Sequence, residues 1–268
     1  VRVVVPYAPG GTTDLLARIA ATQLQSALDQ SFIVDNRPGD GGSVGSAFAA
    51  KQAADGYTLV MLVESSHAVN PNVYRKSAYD PVKDFAAIGN IADVPNVLVV
   101  NPKLPVRSLA EFIALLKANP NKYSFGSSGN GGLSHLNGEL FQSVTRTRML
   151  HVPYKGLGPA LTDLVGGQID VVFDNIPSSA AMLESGHTRA LAVAAKQRLK
   201  LLPDVPTYAE AGYPAMNTPS WFGIGAPADT PQAILATLNE ALRAGLSRPD
   251  YTGAIEKQGA IPSGMSRA

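Results

Sequence analysis

The chain has 268 residues, of which 45% are hydrophobic and 16% charged, so it can bury a sizeable core and is not a disordered protein. Lysine and arginine number 22 against 21 aspartate and glutamate, which excludes the basic field that would attract nucleic acid or an anionic membrane. Cysteine is absent, which excludes disulfides, thiolate metal sites and cysteine nucleophiles, and no apolar run approaches the ~18 residues that span a bilayer.

Short β-branched runs alternate with Ala/Leu-rich helical patterns, which is typical of an α/β protein with mostly parallel sheets covered by helices. The chain begins directly on a strand, without an initiator Met or a signal segment, as we expect of a processed or trimmed protein. In chain order the pattern predicts strand 1–6, helix 13–28, strand 32–35, helix 44–54, strand 58–63, an irregular region 70–85 and strand 97–100.

A second series repeats this arrangement and suggests a second lobe. It comprises helix 109–118, strand 123–126, helix 133–144, strand 149–152, helix 159–165, strand 170–174, helix 178–184 and strand 190–194. After a proline-rich stretch, a strand at 221–226 and a helix opened by Thr230 and Pro231 are expected to return the chain to the first lobe.

Two glycine-rich loops each join a predicted strand to a predicted helix, at 6–14 and at 125–135. The free amides and the positive dipole end of a helix N-terminus bind anions, and glycines let a ligand approach the backbone. An ordinary turn capped by Thr or Asp is the alternative for the first loop, and a flexible connection for the second. Because ligands bind beyond the carboxyl ends of parallel strands, the two loops can face each other across a cleft. Neither contains Lys or Arg, which favours a carboxylate over a polyphosphate.

A search for motifs of nucleotide binding, metal binding and catalysis gives little indication of function. No phosphate-binding loop, dinucleotide fingerprint or paired-histidine metal motif is found, so no cofactor or metal is expected. The segment 41–45 matches the G-x-S-x-G pattern of serine hydrolases, with Ser43 as nucleophile. Residues 36–42 separate Ser43 from the preceding strand, which favours a helix N-cap, and the hydrolase is kept as an alternative.

Four further side chains are each open to two interpretations, contact with a ligand or a purely structural role. His67 and His135 fall where strand ends should meet a cleft, although a structural histidine explains either equally well. Asp174 ends an apolar strand, where a carboxylate needs a partner or serves as a helix cap. Trp221 opens a strand and is interpreted mainly as a core residue, with a cleft wall as the alternative.

Six segments together are more specific than any single motif. They are VPYAPGGTTD at 5–14, DNRPGDGG at 35–42, DGYTL at 55–59, YDPVKDF at 79–85, HVPYKG at 151–156 and LPDVPT at 202–207. In this order, and over essentially the whole chain, they resemble the Bug family, the extracytoplasmic receptors of tripartite tricarboxylate transporters.

The resemblance implies a two-lobed α/β periplasmic binding-protein fold of the Venus flytrap, type II kind. Lobe 1 is expected at 1–99 plus 221–268 and lobe 2 at 100–220, with hinge strands near 97–101 and 221–226. It also implies a monomeric periplasmic receptor without catalytic activity. Such a receptor captures a dicarboxylate, tricarboxylate, amino acid or aromatic carboxylate and delivers it to the membrane subunits of the transporter. A sensory ligand-binding module is a second alternative.

The resemblance also assigns the ligand carboxylate to the two loops, one cleft wall to 64–67 and an acidic cleft segment to 173–175. Thr12 stands where many relatives have a third glycine, so ligand choice is expected to differ. The expected ligand-binding residues are Tyr7, Ala8, Gly10, Gly11, Thr12, Thr13, Ser65, Ser66, His67, Ser127, Ser128, Gly129, Asn130, Ser134, His135 and Asp174.

Overall fold

A computed structural model describes residues 1–74 and 77–264 of the chain. The first elements are β1 Arg2–Val5, α1 Thr12–Leu28, β2 Ile33–Asn36, α2 Ser43–Ala50, β3 Thr58–Val63, α3 Asn70–Val73 and β4 Phe85–Val94. A single wide helical turn, Ser65–Val69, joins β3 to α3. The strand β4 was missed in the sequence because its run FAAIGNIADV is rich in alanine and glycine and poor in β-branched residues.

The second series follows directly. It consists of β5 Asn96–Val100, α4 Leu109–Ala118, β6 Ser124–Ser127, α5 Leu133–Thr145, β7 Leu150–Pro153, α6 Leu157–Gly166, β8 Val171–Asn175, α7 Ile176–Glu184 and β9 Arg189–Ala194. The chain then returns through β10 Ser220–Pro227, α8 Gln232–Ala244, α9 Pro249–Lys257 and β11 Ile261–Pro262. Most predicted elements agree with these bounds to within two residues, and α2 ends earlier than expected.

The strands form two sheets with the orders β11-β4-β10-β3-β1-β2 and β7-β6-β8-β5-β9. Strands β1 to β4 share one direction, as do β6 to β9, which confirms the mostly parallel sheets. The reversed strands are β10 and β11 in the first sheet and β5 in the second. Both β5 and β10 arrive from the other lobe, so they enter against the direction of their neighbours.

The chain changes sheets at Pro95, between β4 and β5, and is back in the first sheet at Ser220. The expected lobe boundary between Val99 and Val100 therefore falls inside β5, later than the change of sheet. All five residues of β5 pair with β8 or β9, and their burial on both faces of the second sheet explains the continuous apolar run Val97–Val100.

Helices cover both faces of each sheet. In the first lobe, α1 and α8 pack Leu16, Leu24, Leu235 and Leu242 into one core. In the second lobe, an aromatic cluster of Phe112, Phe125, Phe141 and Phe173 lies under α4 and α5, and a separate aliphatic cluster lies under α6 and α7. Within the described residues, no helix combines the length and apolar character needed to cross a membrane. The cores hold the carboxyl ends of β1 and β6 in fixed positions.

Candidate functional site

A cleft of about 50 Å³ lies between the two lobes, at the carboxyl ends of β1 and β6. Its lining comes from the ends of strands, from the segments that follow them and from the helices that begin there. The lining residues are Tyr7, Gly11, Thr12, Thr13, Val63, Glu64, Ser65, Asn96, Ser128, Leu133, Ser134, Asn137, Leu157, Phe173, Asn175, Ser220, Trp221 and Phe222.

Two helix N-termini meet at the cleft, one from each lobe. Helix α1 begins after Gly11 and α5 begins after Gly132, and neither N-cap residue contributes a side-chain cap. The expected capping of α1 by Thr or Asp is therefore wrong, because Thr12 and Thr13 lie inside the first turn. In α5 the Leu133 amide is bonded to Ser65 Oγ of the other lobe. A first turn without a cap from its own N-cap residue directs its other amides and its positive dipole end towards an anion.

Hydroxyl groups surround these helix ends. The Oγ atoms of Ser128 and Ser134 lie 3.0 Å apart, and the Ser128 amide donates to Ser134 Oγ at 2.8 Å. Both side chains are almost fully buried, as is Thr13 on the facing helix. A carboxylate can accept hydrogen bonds from such hydroxyls and amides without any basic side chain.

Direct contacts close the lobes over the cleft. The Oγ atoms of Thr12 and Ser178 lie 2.9 Å apart, the Ala8 amide donates to Lys155 O at 2.9 Å, and the Leu133 amide donates to Ser65 Oγ at 2.9 Å. Tyr74 also donates a hydrogen bond to the Asn130 carbonyl. The chain is therefore in a closed conformation.

Asp174 lies behind this closing contact rather than in the cleft lining. Its carboxylate accepts hydrogen bonds from Ser178, at 2.6 Å, and from Ser179, and it is 1% exposed. Burial outweighs these hydrogen bonds and raises the pKa of Asp174 to about 6. Asp174 therefore orients Ser178, which in turn reaches Thr12 of the other lobe.

A buried amide and hydroxyl network marks the place where the chain crosses between lobes. Ser220 Oγ donates to Asn96 Oδ1 at 3.0 Å, and Asn175 donates to the same oxygen. Asn96 Nδ2 donates to Thr218 O at 2.6 Å. The network joins β5, β8 and the start of β10 at the base of the cleft.

The cleft lining contains seven of the sixteen expected residues, namely Tyr7, Gly11, Thr12, Thr13, Ser65, Ser128 and Ser134. Ala8 and Asn130 form contacts between the lobes, and Gly129 packs against Gly41 of the other lobe. Gly10 donates its amide to Asp14 and faces Gly158 across the lobe boundary. These four residues belong to the closing contact and not to the cleft lining.

His67 and its neighbour Ser66 point into the first lobe and do not belong to the cleft lining. The His67 ring packs 4.9 Å from Phe85 and 5.9 Å from Tyr79, measured between ring centroids, and its Nδ1 lies 2.8 Å from Ser66 Oγ. Burial lowers the pKa of His67 to about 4. A strand end alone does not determine whether a following side chain faces the cleft or the core.

His135 and Ser127 likewise lie outside the cleft lining, beneath the second loop. The His135 ring stacks on His151 with 3.9 Å between centroids, and His151 Nε2 lies 2.6 Å from Ser127 Oγ. His135 Nδ1 accepts from the Gly131 amide at 3.1 Å. The pair supports the backbone of the loop that carries Ser128.

Sequence reasoning missed Asn96, Asn137 and Ser220, whereas Glu64 and Asn175 fall within the ranges 64–67 and 173–175 that the resemblance assigns to the cleft. Asn96, Asn175 and Ser220 are far apart in the chain and meet only through the pairing of β5 with β8 and the return of β10. Trp221 lines the cleft, in agreement with the alternative interpretation.

Ser43 does not have the surroundings of a hydrolase nucleophile. It is the first residue of α2, and Gly42, in the left-handed conformation, takes the N-cap position expected for Ser43. Ser43 Oγ accepts a hydrogen bond from Asn70 Nδ2 at 3.1 Å. An amide cannot remove the hydroxyl proton, so this contact does not activate the serine.

Two helix-flanked sheets that enclose a cleft define a two-lobed periplasmic binding protein. A Rhodopseudomonas palustris protein solved with adipate has a TM-score of 0.96 and 42% identity over 100% of this chain and 89% of that one. MatC from Rhodopseudomonas palustris, solved with malate, has a TM-score of 0.93 and 33% identity over 98% and 89%.

More particularly, this chain belongs to the tripartite tricarboxylate transporter family receptor proteins (TctC), whose family pattern matches residues 16–267. It is also similar to the protein BugT of Bordetella pertussis, with 40% identity over 98% of this chain and 81% of that protein. The resemblance to the Bug family is confirmed.

Proposed function

We propose that this chain captures a small organic carboxylate in the cleft and presents the closed form to a membrane transporter. The observation that supports the proposal is the meeting of the N-termini of α1 and α5, neither capped by its own N-cap residue, with the hydroxyls of Thr13, Ser128 and Ser134. No lysine or arginine lines the cleft within the described ranges, which disfavours a polyphosphate. The similar proteins solved with adipate and malate support a carboxylate.

The first test concerns the hydroxyls of the two loops. Thr13→Ala and Ser128→Ala should each weaken carboxylate binding by about 1–2 kcal/mol, or roughly 5- to 30-fold, because each removes a hydrogen bond to a charged group. Titration calorimetry measures the change with any carboxylate that raises the melting temperature. Thr22→Ala, on the exposed side of α1, is the control. Unchanged affinity in both cleft variants would place the carboxylate elsewhere.

A second test concerns closure. A ligand that contacts both loops binds the closed state more tightly, so saturating carboxylate should reduce the radius of gyration in small-angle scattering. The methyl ester of the same compound should neither bind nor cause this change, because it lacks the charge that the helix N-termini attract. An ester that binds as well as the free acid contradicts the carboxylate proposal.

Closure requires a hinge, and we propose that it lies at Pro95 and Ser220, where the chain changes sheets. The network of Asn96, Asn175 and Ser220 joins both crossings, so bending there changes the base of the cleft directly. We further propose that the chain acts in the periplasm as a monomer, without catalysing a reaction, and that its partners are the membrane subunits of the transporter. Membership of the receptor family supports this assignment.

A further inference from the structure

Glu64 is the one acidic side chain in the cleft lining of the described residues, and it lacks a partner there. It follows the last residue of β3, beside the end of β1, because β1 and β3 pair in parallel. Its Oε2 atom is inaccessible to solvent and makes no hydrogen bond. By contrast, Asp174 is bonded to two serines, and Asp14 is bonded to Arg18 and Asn36.

Glu64 as a whole is partly buried. A partly buried carboxylate without a partner is costly when it is ionised, since it loses hydration without receiving hydrogen bonds in exchange. The same burial raises the pKa of Glu64. A hydrogen-bond donor on the ligand would remove this cost, and a cationic donor would also offset the charge. Few residues of the cleft can donate a hydrogen bond to Glu64. The Tyr7 hydroxyl donates to the Gly41 carbonyl, and the amides of Asn96 and Asn175 donate within the network at the base of the cleft.

A second carboxylate on the ligand would be repelled by Glu64. It would bring a further negative charge towards Glu64, where like charges repel strongly in a poorly hydrated cleft. Lysine, arginine and histidine are all missing from the cleft lining in the described part of the chain. Asn137, which also lines the cleft, offers only a neutral amide to either kind of ligand.

We propose that Glu64 binds a cationic N–H group of the ligand, so that the cleft prefers a zwitterionic monocarboxylate to a dicarboxylate. This inference rests on the proposed function, since the loops at the helix N-termini hold the ligand carboxylate. Glu64 is then a specificity-determining residue: the loops select one anionic end, and Glu64 selects a cationic group on the remainder.

The test uses ligand pairs of equal length, measured by calorimetry at pH 8, well above the ordinary glutamate pKa of about 4.3. The pairs are β-alanine with succinate, 4-aminobutyrate with glutarate, and 5-aminopentanoate with adipate. A simple monocarboxylate is added to each pair, namely propionate, butyrate and pentanoate in the same order, which gives three sets of three compounds. In the unmodified protein we expect the amino compound of the best-binding set to bind at least about tenfold more tightly than the other two.

Glu64→Gln should reduce that preference by about tenfold or more, mainly through weaker binding of the amino compound. Thermal unfolding verifies that the variant is folded, and Glu240→Gln, exposed on α8 of the same lobe, is the matched control. A preference that survives Glu64→Gln overturns the inference, as does a dicarboxylate or a simple monocarboxylate that binds as tightly as the amino compound.

These outcomes are separable from failure of the proposed function. If dicarboxylates bind best and their binding still depends on Thr13 and Ser128, the carboxylate receptor stands and the role of Glu64 falls. If no compound of the nine releases heat or raises the melting temperature, the capture of a small aliphatic carboxylate and the role of Glu64 both fall.

Discussion

Gly158→Ala is expected to remove tight ligand binding while both lobes remain folded. Gly158 lies in the first turn of α6, and a Cβ atom added there would stand 2.3 Å from Pro9 O and 3.3 Å from Gly10 Cα, both in the other lobe. The backbone of the first loop cannot yield at such distances, so the lobes would have to stay apart. Since the ligand contacts both loops only in the closed state, its affinity should fall by at least about tenfold.

The same helix offers a matched control. Gly166 ends α6, and a Cβ added there meets no atom within 4 Å, so Gly166→Ala should bind ligand normally. Both substitutions replace a helical glycine by alanine, and they differ in the contact with Pro9. Calorimetry gives the affinities, and small-angle scattering should show that Gly158→Ala no longer contracts with ligand. Normal affinity in Gly158→Ala would mean that binding does not need this contact.

His67→Phe is expected to make the protein less sensitive to acid. The folded-state pKa of His67 is lowered to about 4 by burial, whereas an unfolded histidine titrates near about 6.5. Between these values the unfolded state binds more protons, so stability is full above about pH 6.5 and declines as the pH falls towards 4. The contribution of His67 over this window is about 3 kcal/mol at most.

Phenylalanine retains a ring against Phe85 and Tyr79 but has no nitrogen to protonate. Urea unfolding at pH 7 and at pH 4.5 should therefore show a smaller loss of stability in the variant than in the unmodified protein. His151, whose pKa burial also lowers to about 4, acts in the same direction. Asp174, with a raised pKa, acts in the opposite direction. His151 and Asp174 are both present in the unmodified protein and in His67→Phe, so their effects cancel when the two proteins are compared. Equal losses in the two proteins would contradict the assignment to His67.

The sequence was sufficient to locate both loops of the site, because a strand, a glycine-rich turn and a helix start are local signals. Thr13 and Ser128 were found in this way, and both lie in the cleft. The direction of His67 was not predictable, since it depends on the wide turn after β3 and on the distant Phe85. Asn96 and Ser220 were missed for a related reason: their meeting depends on strand pairing between remote segments.

The exchange of strands between the two sheets also imposes an order on folding. The second sheet is complete within residues 96–194, whereas the first begins at Arg2 and lacks the strand between β3 and β4 until Ser220–Pro227 has been made. As the chain is synthesised, the second sheet can therefore close first, while β3 keeps an unpaired edge of the kind that promotes aggregation. A chain cut off before residue 220 would retain that exposed edge permanently.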